Sequence, residues 1–164
     1  MDRAIFPDNT VLCNFAAVDR IDLLETWLRG RGRWTEAVAF EAGRSANHLP
    51  DLRRLLDGRW LGEPIEFDAD EDVRRIEHLR RDVFGGTGAK PLQHLGEAQT
   101  CHLLQTRSEW RESIWVSDDR DALDYARFIG VATMTTPLVL ESLVAEGDVS
   151  EVEAARLLRG ISER

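Results

Sequence analysis

The sequence predicts an α/β fold, a single domain over residues 1–164 with a central, mostly parallel sheet. Short apolar runs that resemble strands alternate with helical segments along the whole chain. A length of 164 residues suits one domain with a proper core. Because parallel strands are joined by crossover helices, we expect helices on both faces of the sheet, which gives three α/β/α layers.

Two apolar runs near opposite ends of the chain end in acidic residues. The stretches Ile5–Leu12 and Ile114–Asp119 each predict a buried strand that runs out into a carboxylate. The carboxyl ends of parallel strands line one common crevice. We therefore expect Asp8 and Asp119 to lie close together in space.

The first half of the chain predicts helices broken by Gly-rich and Arg-rich turns. Apolar residues at helical spacing predict a first helix from Leu12 to Arg29, which ends in the arginine-rich segment 29–33. The following elements are a helix beginning at Thr35 or Glu36 and ending at Gly43, a helix over Leu49–Leu56, a brief strand at Pro64–Phe67, a charged helix over Ala69–Val83 and a flexible loop at 85–88.

The second half has clearer punctuation. We predict a helix over Gly96–Thr106, a strand over Ser113–Ser117, a helix over Asp119–Ile129 and a last strand over Val131–Thr135. Pro137 suits the first turn of a helix that runs to Glu146, with Gly147 beyond its end. Ser150 and Glu153 form a capping box that opens a final amphipathic helix.

Composition excludes several classes of function. The net charge of −9 argues against a surface built for broad, non-specific nucleic-acid binding. The only lysine, Lys90, stands in a Gly-rich loop without the Gly-Lys-Ser/Thr of a phosphate-binding loop, and no Gly-x-Ser-x-Gly elbow is present.

Cys13 and Cys101 lie in apolar stretches and are expected to be reduced and buried. The four histidines lack zinc-ligand spacing and are expected at the surface or in loops.

Location follows from two absences in the sequence. No apolar run is long enough to span a bilayer, and Met1-Asp2-Arg3 leads into a strand where an export signal would be basic and then apolar. We therefore expect a cytoplasmic protein with no membrane association.

Four motifs, in order and spacing, resemble those of the PIN-domain family. The resemblance covers nearly the whole chain and is closest to a PIN-like branch associated with toxin-antitoxin systems. In that branch Gly-Glu opens the third acidic motif and Asp-Asp follows the fourth strand. The motifs are Asp8–Leu12 with Ile21–Leu24 behind it, Val38–Glu41, Leu95–Ala98 and Val116–Asp121.

The resemblance implies a Mg²⁺- or Mn²⁺-dependent ribonuclease that hydrolyses phosphodiester bonds of RNA. Carboxylates suit such ions, which activate water and relieve charge on the leaving oxygen. A cognate antitoxin and a second copy of the chain are its candidate partners. Asp8, Glu97 and Asp119 would be metal ligands and Glu41 would complete the catalytic acids, while Thr10, Ser117 and Asp118 would support them.

Each candidate also has a structural interpretation. Asp8, Asp118 and Asp119 suit helix N-caps, and acids in a first turn, such as Glu97, favour the helix dipole. The chain also departs from the family pattern. Asp-Asn-Thr replaces the usual Asp-Thr-Asn in the first motif, Glu97 replaces an aspartate, and Gln99 stands where a further acid is common. The alternative is therefore a PIN-fold binding or regulatory module with weak or lost nuclease activity.

Overall fold

A computed structural model describes residues 2–164 and confirms the α/β class. Three short parallel strands form the sheet, in the order β1-β2-β3. Ile5 pairs with Ile114, and Ile114 pairs in turn with Ala132. The strands are β1 (Ile5–Pro7), β2 (Ile114–Val116) and β3 (Ala132–Met134).

Nine α-helices connect and flank these strands within residues 2–164. A π-helical turn, Leu79–Val83, extends the fifth of them, and a 3₁₀ turn, Ser108–Trp110, follows the sixth. The helices are α1 (Asn9–Ala17), α2 (Ile21–Leu28), α3 (Glu36–Ser45), α4 (Leu52–Gly58), α5 (Asp70–His78), α6 (Leu95–Thr106), α7 (Arg120–Phe128), α8 (Thr136–Glu146) and α9 (Glu151–Ser162).

The predicted single helix from Leu12 to Arg29 is wrong. The chain forms α1 and α2, separated by a turn in which Asp19 adopts a left-handed conformation with φ of 54°. Apolar periodicity continues through the turn because both helices bury residues against the same core, so periodicity alone could not reveal the break. The first strand is also shorter than the run Ile5–Leu12, because α1 begins immediately after Asp8.

Isolated bridges extend the pairing beyond β1. Gly32 forms a parallel bridge with Ile5, and Thr35 forms one with Ile65. The predicted strand Pro64–Phe67 is thus reduced to the single bridge at Ile65. Segment 32–35 consequently runs beside β1, and it places the start of α3 near the sheet.

Alternate residues of β1 and β2 belong to different apolar clusters. Ile5 and Val116 belong to a cluster formed largely with α1, α2, α3 and α8. Phe6 and Trp115 belong to a second cluster with α5, α6 and α7. Successive side chains of a strand point to opposite faces of a sheet. Burial on both sides explains why the strand sequences are apolar throughout.

Most helix ends follow the predicted signals, but the capping box predicted at Ser150 is only half formed, because the Glu153 side chain pairs with Arg20. Ser150 accepts a hydrogen bond from the Glu153 amide at 3.1 Å, and Gly147 ends α8 with φ of 82°.

Cys13 and Cys101 are free and buried, as predicted. His102, by contrast, is buried against Asp72, with 2.7 Å between its Nε2 and Oδ1, so the expectation of an exposed histidine is wrong there. Within residues 2–164, no helix has the length and apolar character that a bilayer span requires.

Candidate functional site

The carboxyl ends of β1 and β2 bring Asp8 and Ser117 into contact. The Asp8 amide donates to the Val116 carbonyl at 2.9 Å, and the Ser117 amide donates to the Met134 carbonyl at 3.0 Å. The backbone hydrogen bonds of the sheet therefore continue one residue beyond the ends of β1 and β2. The Ser117 hydroxyl donates to Oδ2 of Asp8 and is itself completely buried.

Asp8 is both a helix cap and a buried acid. Its Oδ1 accepts a hydrogen bond of 2.9 Å from the Val11 amide and so caps α1. Only 5% of the residue is exposed. Burial raises its pKa to about 7 and outweighs the bonds from Ser117 and Val11, while the charges of Glu97 and Asp118 raise it further. A carboxyl group that titrates near neutral pH is characteristic of functional sites.

Glu41 reaches the same region from α3. Burial and the charge of Glu97 raise its pKa to about 7, with a smaller contribution from Asp8. Close packing of α6 against α3 explains the burial, because a Cβ atom on Gly96 would lie only 3.1 Å from Oε1 of Glu41. The glycine of the Gly-Glu pair thus permits the approach that places Glu41 beside Glu97.

Glu97 lies in the first turn of α6, as predicted. Its side chain is 20% exposed, and its Oε1 is 3.8 Å from Nδ1 of His94, the residue that precedes the helix. That distance is too long for a hydrogen bond. Glu97 lies near Asp8 and Glu41, since its charge raises the pKa values of both.

Asp118 is held by groups from α1 and α8. Its Oδ1 accepts from the Thr136 amide at 2.7 Å, and its Oδ2 accepts from Nδ2 of Asn14 at 2.8 Å and from the Thr136 hydroxyl. Three donors thus fix the carboxylate. Asp118 lies close enough to Asp8 to raise the pKa of that residue.

Asp119 and Thr10 have different surroundings. Oδ1 of Asp119 accepts from the Ala122 amide at 2.8 Å and caps α7, while the Asp119 amide donates to the Ser117 hydroxyl at 3.1 Å. The backbone of Asp119, therefore, is linked to Asp8 through Ser117. Thr10 is exposed on α1. The role of Asp119 as a metal ligand stays a prediction.

Four carboxylates from different elements thus define an acid cluster: Asp8, Glu41, Glu97 and Asp118. Oxygen donors of this kind suit Mg²⁺ or Mn²⁺. As the side chains stand, no group of three or more His, Cys, Asp or Glu residues between positions 2 and 164 has the geometry to hold a metal ion. The cluster therefore offers oxygen atoms of a kind that hard cations bind, but the structure does not hold them in a ligating arrangement.

No protein-family model, curated protein or solved structure matches the chain.

Asn14, a polar residue at the site, was missed by the sequence reasoning. Asn14 is buried on α1 and joins Asp118 to Oγ1 of Thr136 through donor distances of 2.8 and 3.3 Å. An amide inside the apolar run Val11–Ala16 was the available signal, because buried polar side chains need partners. Thr136 was noted for its place near the last strand, but its two hydrogen bonds to Asp118 were not predicted.

Proposed function

We propose that the chain is a metal-dependent endoribonuclease with a PIN-like fold of three α/β/α layers. The observation that carries the proposal is the acid cluster, in which two carboxyl groups, Asp8 and Glu41, have pKa values raised to about 7. Apolar clusters that contain alternate residues of β1 and β2 support the layered fold. The order of the acidic motifs supports the family resemblance.

The acids present fit Mg²⁺ or Mn²⁺ by their chemistry, with Asp8, Glu97 and Asp119 as the proposed ligands. The cap of α7 occupies Oδ1 of Asp119, and Asp118 is already held by three donors. When bound, such an ion supplies an activated water and charge relief on the leaving oxygen. Glu41, with a pKa of about 7, has the proton affinity of a group that exchanges protons near neutral pH.

We extend this proposal to the toxin of a type II toxin-antitoxin pair. The acid cluster would attract an antitoxin segment that carries Arg or Lys, because a cation there forms charge-assisted hydrogen bonds with several carboxylates. A cytoplasmic location and a homodimer belong to the same proposal.

A ribonuclease assay tests the proposal. We expect purified protein to cleave single-stranded RNA only with Mg²⁺ or Mn²⁺ and to lose activity in Asp8→Asn or Asp119→Asn. Glu97→Gln should also cause a severe loss of cleavage activity. Asp118→Asn should cost about 10- to 100-fold, the range for groups that orient a ligand.

Two results would contradict this assignment. Cleavage that survives both aspartate substitutions and EDTA would exclude the metal-dependent nuclease. Equal losses in Asp118→Asn and Asp119→Asn would show that the ligand among the paired aspartates was wrongly chosen.

A binding or regulatory module is the second candidate. It is favoured by the absence, between residues 2 and 164, of three acids, histidines or cysteines already placed to hold an ion. Titration calorimetry with Mn²⁺ separates the two functions. The nuclease requires a bound ion, and Asp8→Asn should lower the affinity of the protein for that ion. No heat of binding at millimolar Mn²⁺ would favour the module.

A further inference from the structure

Phe40 is an exposed aromatic residue on the helix that carries Glu41. Its exposed fraction is 54%, and the guanidinium carbon of Arg44, one turn further along α3, lies 6.0 Å from the centre of its ring. His48 follows at the same spacing just beyond the helix and is also exposed. Phe40 and Arg44 therefore share a face of α3, and His48, in the turn beyond the helix, lines the same groove as Arg44. We call Phe40, Arg44 and His48 the α3 strip.

Two grooves flank Glu41, and this residue lines both. An apolar groove of about 310 Å³ lies between Phe40 and the residues Leu92 and Leu95, which precede and open α6. A polar groove of about 450 Å³ shares Glu41 with the apolar groove as a lining residue. Its remaining lining residues are Asn9, Arg44, Ser45, Asn47 and His48.

The positive charge of Arg44 is not paired with a carboxylate in a salt bridge within residues 2–164. Among residues 2–164 no carboxylate oxygen lies within 4.0 Å of its guanidinium nitrogens, although its charge lowers the pKa of Glu41. In a chain with a net charge of −9, a cation beside an acid cluster provides a local contact for an anion. Phosphate, like carboxylate, is an anion that an arginine can bind with two parallel hydrogen bonds.

We infer that the α3 strip binds single-stranded RNA across the acid cluster, an inference that rests on the proposed nuclease function. A base would stack on Phe40 in the apolar groove, and a phosphate would contact Arg44 and His48 in the polar groove. Because Glu41 lines both grooves, a strand that joins the base to the phosphate would pass the acid cluster. Stacking on an exposed ring requires an unpaired base, so duplex RNA does not satisfy the site.

Fluorescence anisotropy with a labelled single-stranded RNA octamer in EDTA tests the inference, because the proposed nuclease leaves the probe intact without Mg²⁺ or Mn²⁺, which a gel verifies. Phe40→Ala should weaken binding about tenfold, the loss expected when one base no longer stacks, and Phe40→Trp should retain binding. Arg44→Gln should weaken binding and reduce the salt slope by about 0.7, the value for one phosphate contact on a single strand. The same octamer in a duplex should bind more weakly.

Matched controls come from exposed residues far along the chain from α3. Phe128 is 83% exposed on α7, and Arg156 is exposed on α9. Phe128→Ala and Arg156→Gln should bind the octamer like the parent protein. Equal losses in the strip variants and these controls, or no binding by the parent, would overturn the inference.

The test also distinguishes this inference from the proposed function. Weaker binding in Phe40→Ala by a chain that cleaves no RNA supports the strip and rejects the nuclease alone. Cleavage that depends on Asp8 while Phe40→Ala and Arg44→Gln leave KM and kcat unchanged rejects the strip alone. Release of a co-purified protein by Phe40→Ala, with octamer binding unchanged, would overturn RNA as the ligand and identify a protein surface.

Discussion

At the scale of single residues, Asp8 combines two opposing influences. Hydrogen bonds from the Val11 amide and the Ser117 hydroxyl favour its charged form. Removal from water and the neighbouring acids Glu97 and Asp118 favour the protonated form, and burial is the largest of these effects. The pKa of about 7 therefore results from a buried position that the cap cannot fully offset.

This shift predicts a stability cost at neutral pH. The folded protein binds the Asp8 proton more tightly than the unfolded chain, so the stabilisation is complete below pH 4 and is lost as pH rises to about 7. Asp8→Asn keeps a cap on α1 and removes the charge. We expect the variant to be more stable than the parent at pH 8, by up to about 4 kcal/mol, and no more stable at pH 4.

Urea unfolding of parent and variant from pH 4 to pH 8 measures this difference. The difference between the two proteins is the relevant quantity, because other groups, such as Glu77 with its pKa of about 2, add opposite slopes to both. Asp119→Asn serves as the control, since it changes a cap and should leave the parent's pH dependence in place. An Asp8→Asn protein that is less stable than the parent at every pH would refute the prediction.

Sequence reasoning found the acids but not their detailed surroundings. Asp8 and Glu97 were predictable because strand ends and first helical turns recur at fixed places in an α/β chain. The different surroundings of Asp118 and Asp119 were not predictable. They depend on Asn14 and Thr136, which come from elements that are distant in sequence and meet Asp118 only in the folded protein.

At the scale of elements, the π-helical turn Leu79–Val83 carries a buried arginine. The pattern of the charged helix gives no sign of this, yet the Arg80 side chain is only 1% exposed. Its Nη1 donates to the carbonyls of Thr87, Lys90 and Gln93 at 3.2, 3.1 and 3.3 Å, and its other nitrogens bind Glu77. Arg80 thus holds the Gly-rich loop that leads into α6, a loop whose Leu92 lines the apolar groove.

Arg80→Lys should release this loop. Lysine retains the charge but cannot reproduce the forked geometry, so the partly buried hydrogen bonds to the loop carbonyls are lost at a cost of about 1.5–3 kcal/mol. We expect faster proteolysis between residues 85 and 94 and a lower midpoint of urea unfolding.

Arg81→Lys is the matched control for this change. Arg81 is adjacent in sequence and also binds Glu77, but its side chain is 53% exposed. Its replacement should therefore have little effect on the unfolding midpoint. The same proteolysis rate and midpoint in the two variants would show that the loop does not depend on Arg80.

At the scale of the whole molecule, the sheet is small relative to the helices that flank it. Each strand has three residues, and alternate residues of β1 and β2 enter separate apolar clusters. The alternation of strands and helices was predictable, because apolar runs and caps are local signals. The bridge at Ile65 and the turn at Asp19 were not, since they depend on what each segment meets in the folded protein.

Metal binding should link the acid cluster to the stability of the whole chain. A ligand that binds only the folded state at a hundred times its dissociation constant stabilises by about 2.7 kcal/mol, a change visible in a thermal melt. Protons and metal compete for the same carboxylate oxygens. Asp8 and Glu41 have pKa values of about 7, so both are mostly protonated at pH 6 and mostly ionised at pH 8. Mn²⁺ should therefore raise the Tm more at pH 8 than at pH 6.

Variants separate this metal site from a merely acidic surface. Asp8→Asn and Asp119→Asn should lose most of the increase that Mn²⁺ produces, whereas Asp57→Asn, at an exposed position of α4, should retain it. Asp8→Asn should also melt above the parent in EDTA at pH 8, because one of the mutually repelling charges is gone. If Mn²⁺ stabilises Asp8→Asn and Asp119→Asn as much as the parent, these aspartates act as caps of α1 and α7, and the nuclease proposal loses its physical basis.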